Sequence, residues 1–283
     1  VYLGWNLVGQ GKITDTILHL ANRALNFDKN LANAYYLKGW YLLWYSSKTD
    51  EAEKAFRQTI RLNPSHSSGY SFLGDLMFVK GDYARLVEYK LEAIELERGP
   101  SRANYLYYFS FQLYSLGFFK EGLKFSEEII ENYSDSSAYY LGLVAENMNS
   151  GNYDKAYKNS LKSNYNNFLH WWVTGNILLR LRDFNGALKF ADDYIEKNGG
   201  QIKPSYYFGY TYLKNGLKEK AAFHFEGAIK EHQEIIKLNQ PASNCYAYLA
   251  LAIIYSAKDE KAKAVEYMKK VLEHRDEVPV SSV

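Results

Sequence analysis

A block of about 34 residues recurs down this chain of 283, and no other feature constrains the fold as tightly. Blocks begin near Ala32, Ser67, Ala103, Ser137, Phe168, Ile202 and Cys245, so the intervals by subtraction are 35, 36, 34, 31, 34 and 43 residues. The clearest copy runs from Ser67 to Arg98. Tyr70, Leu73-Gly74 and Met77 step along one helical face, Gly81-Asp82-Tyr83 interrupts the period, and Leu86, Ala93, Ile94 and Leu96 resume it. Apolar residues at helical spacing, a glycine break and apolar residues again describe two antiparallel helices joined by a tight turn. Neither helix buries enough surface alone, whereas stacked pairs do. The expected class is an all-α solenoid.

At these residues the chain resembles the tetratricopeptide repeat (TPR) family, whose pattern is W-x2-L-G-x2-Y, then A-x3-F, then A and P. Block one supplies Tyr35, Gly39, Leu42, Ala52, Phe56 and Pro64, with one extra turn residue and Lys38 in place of Leu. Block five supplies Trp171, Gly175, Leu178 and Ala187. Block six supplies Phe208-Gly209, Tyr212, Ala221, Phe225 and Ala228, and block seven Tyr248, Leu251-Ala252, Tyr255, Ala264, Met268 and Val271. Blocks three and four depart from the pattern, with Ser110 and Val144 at the first glycine, yet keep register through Gly117 and Gly151. An incomplete copy, Leu3-Gly4, Leu7, Gly11 and Ala21 to Ala24, precedes block one, so the chain reads as a fragment entering in mid-repeat. The resemblance implies a right-handed superhelical solenoid of antiparallel helix pairs. It would have about seven full repeats after a partial one at 1–31, fill residues 1–274 as one domain, and leave 275–283 as a tail. Small residues after the Leu position are expected where the two helices of a pair approach, with aromatics such as Tyr83, Phe119, Tyr153 and Phe184 filling the space between repeats.

Composition supports that reading. Hydrophobic content of 47% is ample for a core, and a formal net charge of +2 gives none of the clustered basic footprint of a nucleic-acid binder. No apolar run approaches a membrane span. The lone Cys245 and the lack of a visible signal peptide point to the cytoplasm, with the periplasm as alternative. Four of the five prolines, Pro64, Pro100, Pro204 and Pro241, fall between blocks, where helices must end. The 43-residue interval predicts a long second helix in block six, from about Lys218 to Asn239.

Chemistry is hard to find. Gly9-Gln-Gly11-Lys12 approaches a phosphate loop but has Asn6 and Ile13 where Gly and Ser/Thr are needed. His224 and His232 lie eight apart with no third ligand at metal spacing. Asp192-Asp193 and Glu127-Glu128 point about 100° apart on a helix, which suits solvated charges rather than an acid/base couple. Neither Asn132-Tyr133-Ser134, a glycosylation sequon, nor the PDZ-like Ser281-Ser282-Val283 has support beyond its few letters. No catalytic residue, metal or cofactor is expected.

The resemblance also implies that each first helix lines a concave groove. Carried over by position, the groove residues include Trp40 and Trp44 from block one, Phe72 from block two and Tyr107, Tyr108, Phe111 and Tyr114 from block three. Block five adds Trp172, Asn176 and Arg180, and block six adds Lys203, Tyr206, Tyr207, Tyr210 and Lys214. With 27 tyrosines in the chain, such a set makes an aromatic surface of the kind that marks binding sites. The Lys/Asn/Arg carboxylate clamp of some relatives is not reproduced, since Trp172 and Tyr207 occupy two of its places, although Asn176, Arg180, Lys203 and Lys214 leave a weaker basic group. The expected function is non-enzymatic: binding of a peptide or protein segment in the groove. A small-molecule or sugar sensor within a larger bacterial regulator is the alternative. Oligomeric state is left open by the sequence.

Overall fold

The structure, a computed structural model, describes residues 11–44, 46, 48–163, 167–197, 205–237 and 241–273; the side chains at 11–15, 44, 167–171 and 241–243 lie outside that description. Among the described residues there are fifteen α-helices and no strand. Helix α1 is Gly11–Phe27. First helices then alternate with second helices. The first helices are α2 (Ala32–Trp44), α4 (Ser67–Lys80), α6 (Arg102–Ser115), α8 (Ser137–Asn149), α10 (Asn167–Arg180), α12 (Tyr206–Lys214) and α14 (Pro241–Ala257). Their partners are α3 (Thr49–Leu62), α5 (Tyr83–Leu96), α7 (Phe119–Tyr133), α9 (Tyr153–Ser160), α11 (Phe184–Lys197), α13 (Lys218–Lys237) and α15 (Lys261–Glu273).

The starts at Ala32, Ser67, Arg102 and Ser137 are 35 residues apart by subtraction. The last first helix opens at Pro241, four residues ahead of the expected Cys245, because proline is suited to the first helical position. Helix α13 runs 20 residues, to Lys237, as the long interval predicted; Asn239 lies outside the described residues, as do 202–204, where block six was expected to open.

One backbone conformation repeats in the turn inside six of the pairs, from α4–α5 to α14–α15. Gly81, Gly117, Gly151 and Gly216 have φ between 72° and 85°, the left-handed region that favours glycine. Arg182 (φ 60°) and Asp259 (φ 61°) take the same role in the α10–α11 and α14–α15 turns. After the turn a carboxylate caps the next helix in two cases. Asp82 accepts from the Arg85 N–H at 3.1 Å and Asp183 from the Gly186 N–H at 2.8 Å.

Cα packing divides the chain into two units. The first comprises Val1–Tyr105, Ile235–Tyr248 and Lys269–Val283; the second comprises Leu106–Glu234 and Leu249–Met268. In the first unit, α1 through α5 pack each on the next, and α2 also touches α4. Gly39 lets α3 approach: a methyl there would sit 2.7 Å from the Phe56 ring. Phe56 is fully buried and stacks on Phe72, ring centroids 5.7 Å apart. In block two a lysine stands where that phenylalanine would be. The Lys90 stem lies over Gly74, and its ammonium reaches Asp75 Oδ1 at 2.6 Å and Ser71 Oγ at 3.2 Å.

In the second unit, consecutive helices from α7 to α12 pack on one another. One core cluster joins Leu141, Val144, Ala156, Val173 and Ile177. Another gathers Ala191, Tyr207, Phe208, Tyr212, Ala221, Phe225, Ala228 and Ile254. Phe225 presses on Gly209 as Phe56 presses on Gly39.

Candidate functional site: the faces of the first helices

The helical period puts one stripe of each first helix into the pair and leaves another open. In the first unit, Trp40 is half-buried, and Phe72 is wedged between Tyr36 (5.6 Å) and Phe56. Trp44 and Lys203 lie outside the residues whose side chains are described. The polar spot of this unit lies beside Tyr36. His66 caps α4 by accepting from the Gly69 N–H at 3.0 Å through Nδ1, so its Nε2 carries the proton and donates to Asn33 Oδ1 at 2.8 Å. Burial holds the His66 ring below the ordinary histidine range. Burial, with Tyr105 and Asp75 nearby, pushes the Tyr36 hydroxyl up to about 12.

In the second unit the expected residues separate into two groups. Tyr114 and Tyr207 are core residues, which corrects the expectation that they line a groove. Tyr114 is 5% exposed, its ring fills the gap over Gly122 and Gly142, and its hydroxyl meets Ser126 Oγ at 2.5 Å. Burial pushes that hydroxyl up to about 12. Tyr207 is 3% exposed and lies against Gly175 of the preceding first helix. Both are knobs between repeats, placed where a neighbouring glycine leaves a hole. The other group stays open: Phe111 is 37% and Trp172 43% exposed, Arg180 and Lys214 are exposed, and Tyr107, Asn176 and Tyr210 are half-buried. Asn176 Nδ2 donates back to the Trp172 carbonyl at 2.8 Å. The Arg180 guanidinium lies 5.9 Å from the Tyr153 ring centre, and the Lys214 ammonium 5.0 Å from that of Tyr210.

Tyr108 and Tyr206, which the same carry-over by position places on this face, are exposed and half-buried. Tyr206, Tyr210 and Lys214 repeat the i, i+4, i+8 order of Trp172, Asn176 and Arg180. A second legible signal is charge segregation. All the charged residues of the seven first helices are Lys38, Asp75, Lys80, Arg102, Glu146, Arg180 and Lys214, whereas single second helices carry from three (α9) to eight (α13). The first helices are therefore aromatic and nearly uncharged, and hydration is concentrated on their partners.

Among the described residues no group of three or more His, Cys, Asp or Glu side chains is placed to hold a metal ion, and no helix is long and apolar enough to cross a membrane. His224 is stacked among Phe208, Tyr212 and Phe223, and burial pushes it and His232 down to about 4.

Family models for the tetratricopeptide repeat match residues 36–103 and 246–274. No relative matches among curated proteins. Among solved structures, a tetratricopeptide repeat protein from Parabacteroides merdae superposes with a TM-score of 0.54 at 13% identity, covering 96% of this chain and 97% of that one. A chain of the APC/C hetero-tetramer Cut9-Hcn1 gives 0.54 at 13% identity, covering 92% of this chain and 46% of that one, so this chain spans about half its length. Human IFIT1, as a dimer with m7Gppp-AAAA, gives 0.55 at 15% identity, covering 96% and 70%. At such identities the likeness is one of fold. With the helix pairs, the turn register and both family matches in agreement, residues 36–103 and 246–274 are tetratricopeptide repeats, and the described helices have the fold of that family's solved structures.

Proposed function

We propose that this protein is a non-catalytic interaction module that binds a peptide or protein segment on the aromatic faces of its first helices. Tetratricopeptide repeats generally mediate protein–protein interaction, which sets the class. The observation that carries the finer reading is the pairing of low charge with open aromatics: Tyr108, Phe111 and Trp172 are all more than a third exposed, on helices that hold few charges. Apolar aromatic surface left in water marks a binding site, and Trp and Tyr give large contact area at low entropic cost. The capped RNA held by IFIT1 is a poor guide here, since so few cations on these helices give a phosphate backbone little to grip.

The test is a double substitution, Phe111→Ala with Trp172→Ala, measured by calorimetry against the partner isolated from native extract. Both side chains are exposed, so the fold should survive. Two anchors at hot-spot strength predict a loss of affinity of at least about tenfold each. Phe223→Ala, which removes a 62% exposed aromatic from the second helix α13, should change affinity less than about twofold. The reverse pattern would refute the reading.

A further inference from the structure

The ladder shared by α10 and α12 sets a ligand chemistry that aromatic anchoring alone does not. On α10 it runs Trp172, Asn176, Arg180; on α12 it runs Tyr206, Tyr210, Lys214. Residues four apart share a helix face, so each helix carries an aromatic residue and, about 12 Å further along its axis, a cation at its C-terminal end.

Both cations rest against rings, as Lys220 and Lys263 do elsewhere in the unit. Each lies over a tyrosine ring, Arg180 over Tyr153 and Lys214 over Tyr210. Stacking engages the face of the guanidinium or one side of the ammonium and leaves the remaining N–H groups free to donate. Among the described residues neither has a carboxylate within ion-pair distance. Lys80 and Lys90 are paired with carboxylates instead. Lys80 sits 2.8 Å from Asp50 and 2.7 Å from Glu53, and Lys90 sits 2.6 Å from Asp75. Within the second unit the single carboxylate on a first helix is Glu146 of α8. Two like charges at the same position of consecutive first helices, oriented by aromatic rings and with no carboxylate at ion-pair distance among the described residues, are complementary to an anionic ligand.

We infer that the segment bound on α10 and α12 is an acidic peptide, with an apolar or aromatic side chain against Trp172 and Tyr206 and carboxylates on Arg180 and Lys214. At about 3.3 Å per residue, an extended backbone covers the 12 Å between the two rows in about four residues. This rests on the first-helix reading above and adds to it a sign of charge and a spacing.

Fluorescence anisotropy with the full chain tests it. The probe is a short fluorescein-labelled Gly/Ser peptide carrying Trp and, four residues on, Glu-Glu. The comparisons are the same peptide with Gln-Gln, one with Glu-Glu directly after Trp, and a single-stranded RNA of equal length. The Glu-Glu peptide is expected to bind at least about tenfold tighter than the Gln-Gln peptide, since two charge-assisted contacts are at stake. Moving Glu-Glu next to Trp should lose most of that gain. R180E/K214E, and the milder R180A/K214A, should erase the preference while leaving the helical circular dichroism unchanged. Equal affinity for Glu-Glu and Gln-Gln peptides, no binding of any peptide at millimolar concentration, or tighter binding of RNA would each overturn the inference. If Trp172→Ala weakens every peptide while Glu-Glu and Gln-Gln remain equal, the acidic preference falls and the first-helix reading stands.

Discussion

The buried pair under α4 gives an asymmetric double-mutant cycle. The Lys90 side chain is 2% exposed and that of Asp75 21%, with 2.6 Å between Nζ and Oδ1. Asp75→Ala leaves an ammonium enclosed by Gly74 and Ser71 with one neutral hydroxyl for company. Stranding one partner of a buried ion pair costs about 3–5 kcal/mol. Lys90→Met keeps a stem over Gly74 and leaves Asp75 with water within reach, so about 1 kcal/mol is expected, the net worth of a hydrogen bond. The double variant has no buried charge and a filled slot, so it should fall within about 1 kcal/mol of the parent. The coupling energy should then be at least about 3 kcal/mol, far above the scatter of independent sites. Urea denaturation followed at 222 nm reads all four corners. Equal and small losses in both single variants, with additivity in the double, would refute the account of a buried, mutually dependent pair.

Three further outcomes follow from the backbone, the packing and the histidines. Arg182→Gly should raise stability by about 1 kcal/mol, read by urea denaturation, because glycine relieves the cost of a side chain at positive φ; a loss would mean that the Arg182 side chain contributes more than its backbone costs. Gly142→Ala should lower stability by about 1–3 kcal/mol, because the new methyl overlaps the Tyr114 ring in a filled core; the check is the urea midpoint beside Gly151→Ala, which meets no atom and should fail through backbone strain alone. His232, held at about 4 when folded and free to protonate near 6.5 when unfolded, contributes stability that is intact above pH 6.5 and lost as pH falls toward 4. The full loss is about 3 kcal/mol, and His232→Leu should flatten that part of the pH–stability curve while His224, pushed the same way, keeps a remnant.

The period of the blocks was enough to read the helix pairs, because glycine at a left-handed turn and apolar residues at helical spacing are both local signals. The extension of α13 was legible for the same reason, as a surplus in the interval between blocks. Two local features were not. Nothing in the letters marks Arg182 as the occupant of a glycine position, since only the missing glycine betrays it. Lys90 looks like a surface residue until Gly74 and Asp75 are seen to receive it. The candidate surface was partly legible. Position within the repeat located Phe111, Trp172, Arg180 and Lys214 on open faces, yet placed Tyr114 and Tyr207 there too. Those two turn inward because Gly122, Gly142 and Gly175, on other helices of the same unit, leave room for a ring. Whether an aromatic is an anchor or a knob depends on the size of a residue on another helix, which a single-repeat pattern does not contain.

Site-specific photo-crosslinking tests the central claim most directly. A benzoylphenylalanine placed in turn at Phe111, Trp172 and Tyr210 on first helices, and at Phe223, Glu127 and Lys189 on second helices, reports which face a partner touches in native extract. Crosslinks from the first-helix positions, competed by excess unlabelled protein and absent from the second-helix positions, are the predicted result. Crosslinks confined to α7, α11 and α13 would place the partner on the charged helices and contradict it.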